Sequence, residues 1–70
     1  MRRETLAYLK ETYKAGMRVK LISMDDCQAP SAGTEGTISH VDDMGTIHMR
    51  WDTGSGLGLV YGEDKFEVIK

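Results

Sequence analysis

Apolar and polar residues alternate along much of this 70-residue chain, with the period of two that is typical of half-buried β-strands. In the segment 46–51, for example, Ile47, Met49 and Trp51 share one parity, and three polar residues share the other. Clusters of Asp and Gly close several of these runs and are typical of turns. The pattern predicts five strands, over 18–24, 37–41, 46–51, 57–60 and 66–69.

The start of the chain follows a helical rhythm instead. Leu6, Leu9 and Tyr13 recur at i, i+3 and i+7 and predict one helix over 2–14, which Gly16 would end in a left-handed conformation. A helix of this length is marginal in isolation, so we expect Leu6 and Leu9 to pack against the strands. The chain therefore divides into a helical segment, 1–15, and a β domain, 16–70.

The connections between the strands carry further predictions. Ile38 and Val41 break strict alternation, which indicates a β-bulge near Ser39 and His40. The segment 42–45 predicts a tight hairpin, and 61–65 predicts a single helical turn before the last strand.

Five short strands, an early long loop and a late one-turn connection describe a mainly β fold, namely a five-stranded SH3-like barrel with a short N-terminal α-helix. The strand positions of one parity supply the predicted core. It consists of Val19, Leu21, Ile38, Val41, Ile47, Met49, Leu57, Leu59, Phe66 and Val68, with Leu6 and Leu9 covering one end.

Size and charge favour a binding module over an enzyme. A domain this small buries a thin core, and a deep pocket would consume most of its fold. The formal net charge of −2 argues mildly against general nucleic-acid binding. Cys27 is the only cysteine, so no intrachain disulfide is expected, and no apolar run is long enough for a membrane span. We expect a reduced, cytoplasmic protein.

Three sets of residues resemble catalytic or metal-binding motifs. The segment 52–55 reads Asp-Thr-Gly-Ser, as in aspartic proteases, but that chemistry requires two such carboxylates that share a proton. We interpret Asp52 as a turn residue. His40 and His48 lack the further ligands of a zinc site, and the loop aspartates lack the spacing of a calcium loop. We therefore predict no catalytic residues, no metal site and no cofactor.

The candidate surface for a protein or peptide partner centres on Trp51 and Tyr61, with Asp26 and Ser31 in the 25–31 loop. Aromatic residues near hairpin ends line shallow peptide grooves in small barrels. A second interpretation of Trp51 stays open, in which its ring covers the core and its N–H group bonds to a loop.

A nucleic-acid-associated barrel is the alternative function. Lys20, His48 and Arg50 can line up across adjacent strands as one basic face, helped by two arginines at the start of the helix. The simpler interpretation of this face is a solvated sheet surface.

Several segments together resemble a family known as domain of unknown function 4314, found in Gram-positive bacteria and their mobile elements. The resemblance covers 13–69, and its motifs lie at 16–22, 24–26, 33–38, 41–45 and 51–55. Lys14 and Cys27 stand where the family pattern usually has proline. More distantly, the Trp-Asp-x-Gly hairpin is similar to one in Mib/Herc2-type and Tudor-like barrels. The resemblance implies a small barrel and assigns no biochemical role.

Overall fold

The computed structural model describes residues 2–69, which form one short helix and five strands. The helix α1 spans Arg3–Thr12. The strands are β1 Arg18–Ser23, β2 Glu35–Val41, β3 Thr46–Trp51, β4 Leu59–Val60 and β5 Lys65–Val68. The predicted mainly β fold with a short N-terminal helix is confirmed. Among the strands, the largest differences lie in β2, which begins two residues earlier than predicted, and in β4, which is two residues shorter.

The five strands form one antiparallel sheet in the order β4-β3-β2-β1-β5. The closed barrel predicted from the sequence is wrong, because within residues 2–69 no ladder joins β4 to β5. β4 contains only two residues, and the chain turns at once through Gly62, whose φ is +94°, towards β5. Too little extended backbone lies beside β5 to form a ladder there.

The predicted bulge is confirmed in the β2–β3 hairpin. The register shifts between Ile38 and His40, so Ser39 is the additional residue on β2. The shift places His40 directly opposite His48 on β3. The bulge therefore decides which side chains meet near the tip of this hairpin.

The core lies on one face of the sheet and beneath α1, and its members are Leu9, Val19, Leu21, Ile38, Ile47, Met49, Trp51 and Leu59. Val41 and Phe66 pack against it while half-buried, and Leu57 is also half-buried. Val68 is 42% exposed and corrects the predicted core, because it lies on the edge strand β5 with no strand beyond it in the described part of the chain.

The helix α1 docks on the sheet. Leu9 is completely buried, Leu6 is half-buried, and α1 contacts β2. The side chain of Lys10 also reaches the β2–β3 turn, where Nζ lies 2.7 Å from Asp43 Oδ1. The helix ends at Thr12, earlier than predicted.

Two connections differ from their predicted form. Gly16 does not end the helix; it has a φ of +92° in the next turn and donates its N–H group to the carbonyl of Ile38. The N–H groups of Glu63 and Asp64 both bond to the carbonyl of Val60, as in one helical turn. The segment 61–65 is nevertheless not helical, because Gly62 has a φ of +94°.

In the part of the chain that the structure covers, no helix has the length and apolar character needed to cross a membrane. The helix α1 has ten residues.

Candidate functional site

An open cleft of about 400 Å³ lies where the 61–64 turn approaches the end of α1 and the start of β5. We call it the aromatic cleft. It is lined by Tyr13, Ile22, Tyr61, Gly62, Asp64, Lys65 and Phe66. These residues come from three separate parts of the chain, so the cleft forms only when the segment after α1, the end of β1 and the 61–66 segment come together.

A connected row of aromatic rings forms the wall of the aromatic cleft. The ring centroids of Tyr13 and Phe66 are 5.4 Å apart, and those of Tyr13 and Tyr61 are 6.0 Å apart. Tyr8 continues the row at 6.1 Å from Tyr61. These separations are typical of favourable edge-to-face and tilted aromatic pairs. Burial raises the pKa of the Tyr13 hydroxyl, and the neighbouring Tyr8 and Tyr61 add to this shift.

The outer part of the aromatic cleft is accessible to solvent. Tyr61 is 40% exposed and Ile22 is 45% exposed. Asp64 is held in place because its Oδ2 accepts a hydrogen bond of 2.8 Å from the Val60 N–H group. The cleft therefore combines fixed apolar rings with one acidic and one basic residue at its margin, Asp64 and Lys65.

Trp51 does not line the aromatic cleft, which corrects its predicted place on the candidate binding surface. Its side chain is only 2% exposed, and Nε1 donates a 2.7 Å hydrogen bond to the carbonyl of Leu57. Trp51 thus follows the alternative interpretation of its sequence position, in which the ring covers the core and the N–H group bonds to a loop. Of the two predicted aromatic residues, only Tyr61 is accessible to a partner.

Asp26 and Ser31 lie in the exposed loop between β1 and β2, apart from the residues that line the aromatic cleft. Asp26 Oδ1 accepts a 2.8 Å hydrogen bond from the N–H group of Gln28, which is a turn-forming contact. The carbonyl of Ser31 accepts a bond from the N–H group of Thr34. The fold does not bring either residue together with Tyr61.

The predicted basic face carries acidic residues between its basic ones. Lys20 lies opposite Glu35 on β2 and opposite Glu67 on β5. His48 Nε2 lies 2.7 Å from Asp42 Oδ2, and Arg50 is exposed opposite Thr37. The three predicted residues share a sheet surface of mixed charge.

Arg18 is not predicted as a site residue from the sequence. Its Nη1 and Nη2 donate to Asp52 Oδ1 and Oδ2 at 2.9 and 2.6 Å, a two-point contact that suits the guanidinium and carboxylate groups. Nη1 also donates to Thr37 Oγ1 at 2.9 Å. Arg18 and Asp52 are 34 positions apart, so only the pairing of β1, β2 and β3 brings them together.

Asp52 therefore has a role other than shaping its own turn. The hydrogen bonds from Arg18 hold the pKa of the Asp52 carboxyl below its usual range. An aspartic protease needs two carboxylates that share a proton, whereas Asp52 is engaged by a guanidinium. The arrangement explains the residue as an ion-pair partner.

Two histidines stack at the tip of the β2–β3 hairpin. The rings of His40 and His48 are 4.4 Å apart and nearly parallel, with an angle of 8° between them. Asp42 contacts His48, while Ser39 Oγ lies 3.2 Å from His40 Nδ1. In a catalytic triad one histidine lies between the nucleophile and the carboxylate, and here the two contacts involve different histidines.

Asp42 also organises the turn at this tip. Its Oδ1 accepts hydrogen bonds of 2.9 Å from the N–H groups of Met44 and Thr46. The bond with His48 and these backbone bonds lower the pKa of the Asp42 carboxyl. Across residues 2–69, no group of three or more His, Cys, Asp or Glu side chains is placed to hold a metal ion.

Comparison with known proteins identifies a family and nothing more specific. A search of curated proteins found no match, and a search of solved structures found none either. The model of one protein family, however, matches residues 2–69, which is nearly the full length of the chain. The chain belongs to the family described as Domain of unknown function (DUF4314).

Proposed function

We propose that this domain is a non-enzymatic module that binds another protein, and that the aromatic cleft takes an apolar side chain of the partner. The observation that carries the proposal is the combination of rings in contact with one another and a solvent-exposed Tyr61. Rigid aromatic residues supply a disproportionate share of the energy of protein interfaces. The volume of about 400 Å³ lies near the lower end of the range for ligand pockets and is sufficient for an apolar side chain of a partner.

The charge distribution supports a protein partner over the nucleic-acid alternative. The domain has eleven acidic and nine basic residues, and Lys20 lies between two glutamates on neighbouring strands. The guanidinium of Arg18 is engaged by Asp52. Phosphate recognition depends on basic groups that are free to replace counterions. This surface offers few of them together.

We also infer that the fold is an SH3-like barrel left open at one seam. Support comes from the strand order, in which β2, β3 and β4 follow one another and β5 returns beside β1. In the turn that joins β4 to β5, Tyr61 and Asp64 form an isolated bridge. The aromatic cleft lies beside the seam between β4 and β5.

A titration followed by NMR tests the proposed function. Short peptides selected from a displayed random library would be added to the isotope-labelled domain, and amide shifts would be mapped. We expect micromolar binding, with shifts centred on Ile22, Tyr61 and Gly62, as is typical of a small shallow surface. Tyr61→Ala should raise the Kd about tenfold or more.

The controls separate binding from folding and protein from nucleic acid. Met44→Ala removes a side chain that is 80% exposed in the β2–β3 turn, outside the aromatic cleft, and should leave the Kd unchanged. Ile22→Ser alters the aromatic cleft without removing a ring and should also weaken binding. Shifts on Lys20, His48 and Arg50 with short DNA or RNA, erased by added salt, would reject the proposal and favour the alternative.

A further inference from the structure

The outer edge of β5 carries unpaired backbone groups. The N–H group of Ile69 bonds to the carbonyl of Arg18, and β5 then pairs with β1 through Val68 opposite Val19 and Glu67 opposite Lys20. Because backbone groups alternate in direction along an antiparallel strand, those of Glu67 and Ile69 point towards β1. Those of Phe66 and Val68 therefore point away from it, and within residues 2–69 no strand lies beyond them.

Side chains of alternating charge lie opposite one another across this part of the sheet. Glu35 on β2 faces Lys20 on β1, and Lys20 faces Glu67 on β5. A strand added beyond β5 would continue the alternation if it placed a basic residue opposite Glu67. It would also need an acidic residue opposite Lys65, because opposite charges that face each other across two strands are favourable. Opposite Phe66, between these two positions, it would need an apolar residue.

The sequence of β5 meets this requirement itself. Lys65, Phe66 and Glu67 read basic, apolar and acidic, which is also the pattern that an antiparallel neighbour needs. We propose that β5 is a self-association edge, at which β5 of a second copy of this chain pairs antiparallel with Phe66 opposite Phe66. In this register Lys65 of each copy faces Glu67 of the other, and the two outward-pointing Phe66 backbones bond to each other.

The proposed contact is symmetric and small. Each residue pair occurs twice about a two-fold axis, as in the closed dimers that most oligomers form. Val68, which is 42% exposed, lies opposite Asp64 of the second copy and loses solvent contact. A strand of four residues buries little area, so the dimer is weak and forms only at high concentration. The inference does not depend on the ligand of the aromatic cleft.

Sedimentation of the full chain over a concentration series tests the proposal. We expect a monomer at about 10 µM and a growing dimer fraction towards about 1 mM. Lys65→Glu places acidic residues opposite one another, and Glu67→Lys does the same with basic residues. Each variant alone should weaken the dimer about tenfold or more, since both pairs of the symmetric contact become repulsive.

Mixing the two variants is the decisive step. An equimolar mixture of Lys65→Glu and Glu67→Lys restores opposite charges at both pairs, so the dimer should return. Glu11→Lys and Lys14→Glu make the same charge changes away from β5 and should leave the association unchanged. Circular dichroism checks that each variant is folded. A monomer at every concentration, a dimer that ignores the substitutions, or a mixture that stays monomeric would overturn the proposal.

Discussion

Gly36 and Trp51 lie opposite each other on β2 and β3, at a separation that leaves no room for a side-chain atom at position 36. A Cβ atom at Gly36 would lie 2.8 Å from Trp51 Cε3 and 2.9 Å from the carbonyl oxygen of Arg50. Neither neighbour is the loose end of a side chain. The glycine is therefore required by the buried indole.

Gly36→Ala should lower the free energy of unfolding by about 1–3 kcal/mol, because an overpacked core must shift backbone or ring. Gly56→Ala is the matched control, since a Cβ there would meet nothing within 4 Å. Its effect should stay within about 0.5 kcal/mol. Urea unfolding followed by circular dichroism measures both, and equal losses for the two variants would contradict this explanation.

The Arg18–Asp52 contact predicts a change in the titration of one carboxyl. In Arg18→Gln the pKa of Asp52 should rise from its lowered position towards its ordinary value, because the charged hydrogen bonds are lost. NMR titration of the side-chain carboxyl measures it. A pKa that stays lowered in the variant would show that another group is responsible.

The same contact gives stability a pH dependence of known sign. Asp52 stays ionised in the folded state at pH values where it is already protonated in the unfolded chain. The contribution is therefore present above the ordinary aspartate pKa and is lost as the pH falls through the lowered folded-state value. The pKa of the Asp42 carboxyl is also lowered and gives stability a similar pH dependence. The contribution of Asp52 is therefore obtained by comparing the free energy of unfolding of wild type and Arg18→Gln as a function of pH.

At the scale of elements, local pattern was sufficient for the helix, the five strands and the bulge. Each depends on neighbouring residues, such as the broken alternation between Ile38 and Val41. The closure of the sheet was not predictable in this way. It depends on whether β4 and β5 are long enough to pair with each other. β4 contains only two residues and follows a segment with glycines on both sides of position 57.

The docking of α1 predicts a large effect from one truncated side chain. Leu9→Ala should lower the free energy of unfolding by about 2–3 kcal/mol, because the side chain is completely buried. Met44→Ala removes a similar apolar volume from a site that is 80% exposed and should cost no more than about 0.5 kcal/mol. Chemical denaturation compares them, and an unchanged midpoint in Leu9→Ala would indicate that the helix does not stabilise the sheet.

At the scale of the whole molecule, the sequence identified one member of the aromatic cleft and not its surroundings. Tyr61 is recognisable in the sequence as an aromatic residue near a hairpin end, but Tyr13 and Ile22 reach it only through the packing of distant segments. Trp51 carried the same sequence signal as Tyr61. Burial separates the two, and it depends on the three-dimensional arrangement of β2, β3 and the loop at Leu57.

The open sheet predicts an alternating pattern of amide hydrogen exchange along β5. At about 10 µM, where the proposed self-association is negligible, the amides of Glu67 and Ile69 should be protected by β1. Those of Phe66 and Val68 should exchange faster, because they point to solvent. Exchange measured by NMR or by mass spectrometry with fragmentation resolves the four positions, and uniform protection along the strand would contradict the open edge.

The hydrogen bond between the Trp51 indole and Leu57 also has an optical consequence. Trp51 is the only tryptophan in the chain, so all indole emission comes from one ring whose N–H group is tied to the 52–58 loop. Opening of that loop would hydrate the indole and move its emission to longer wavelength while the strands stay paired. The protein thus contains its own fluorophore for local opening beside β4. During denaturation, a shift of the emission wavelength that precedes the loss of ellipticity would distinguish this local opening from global unfolding.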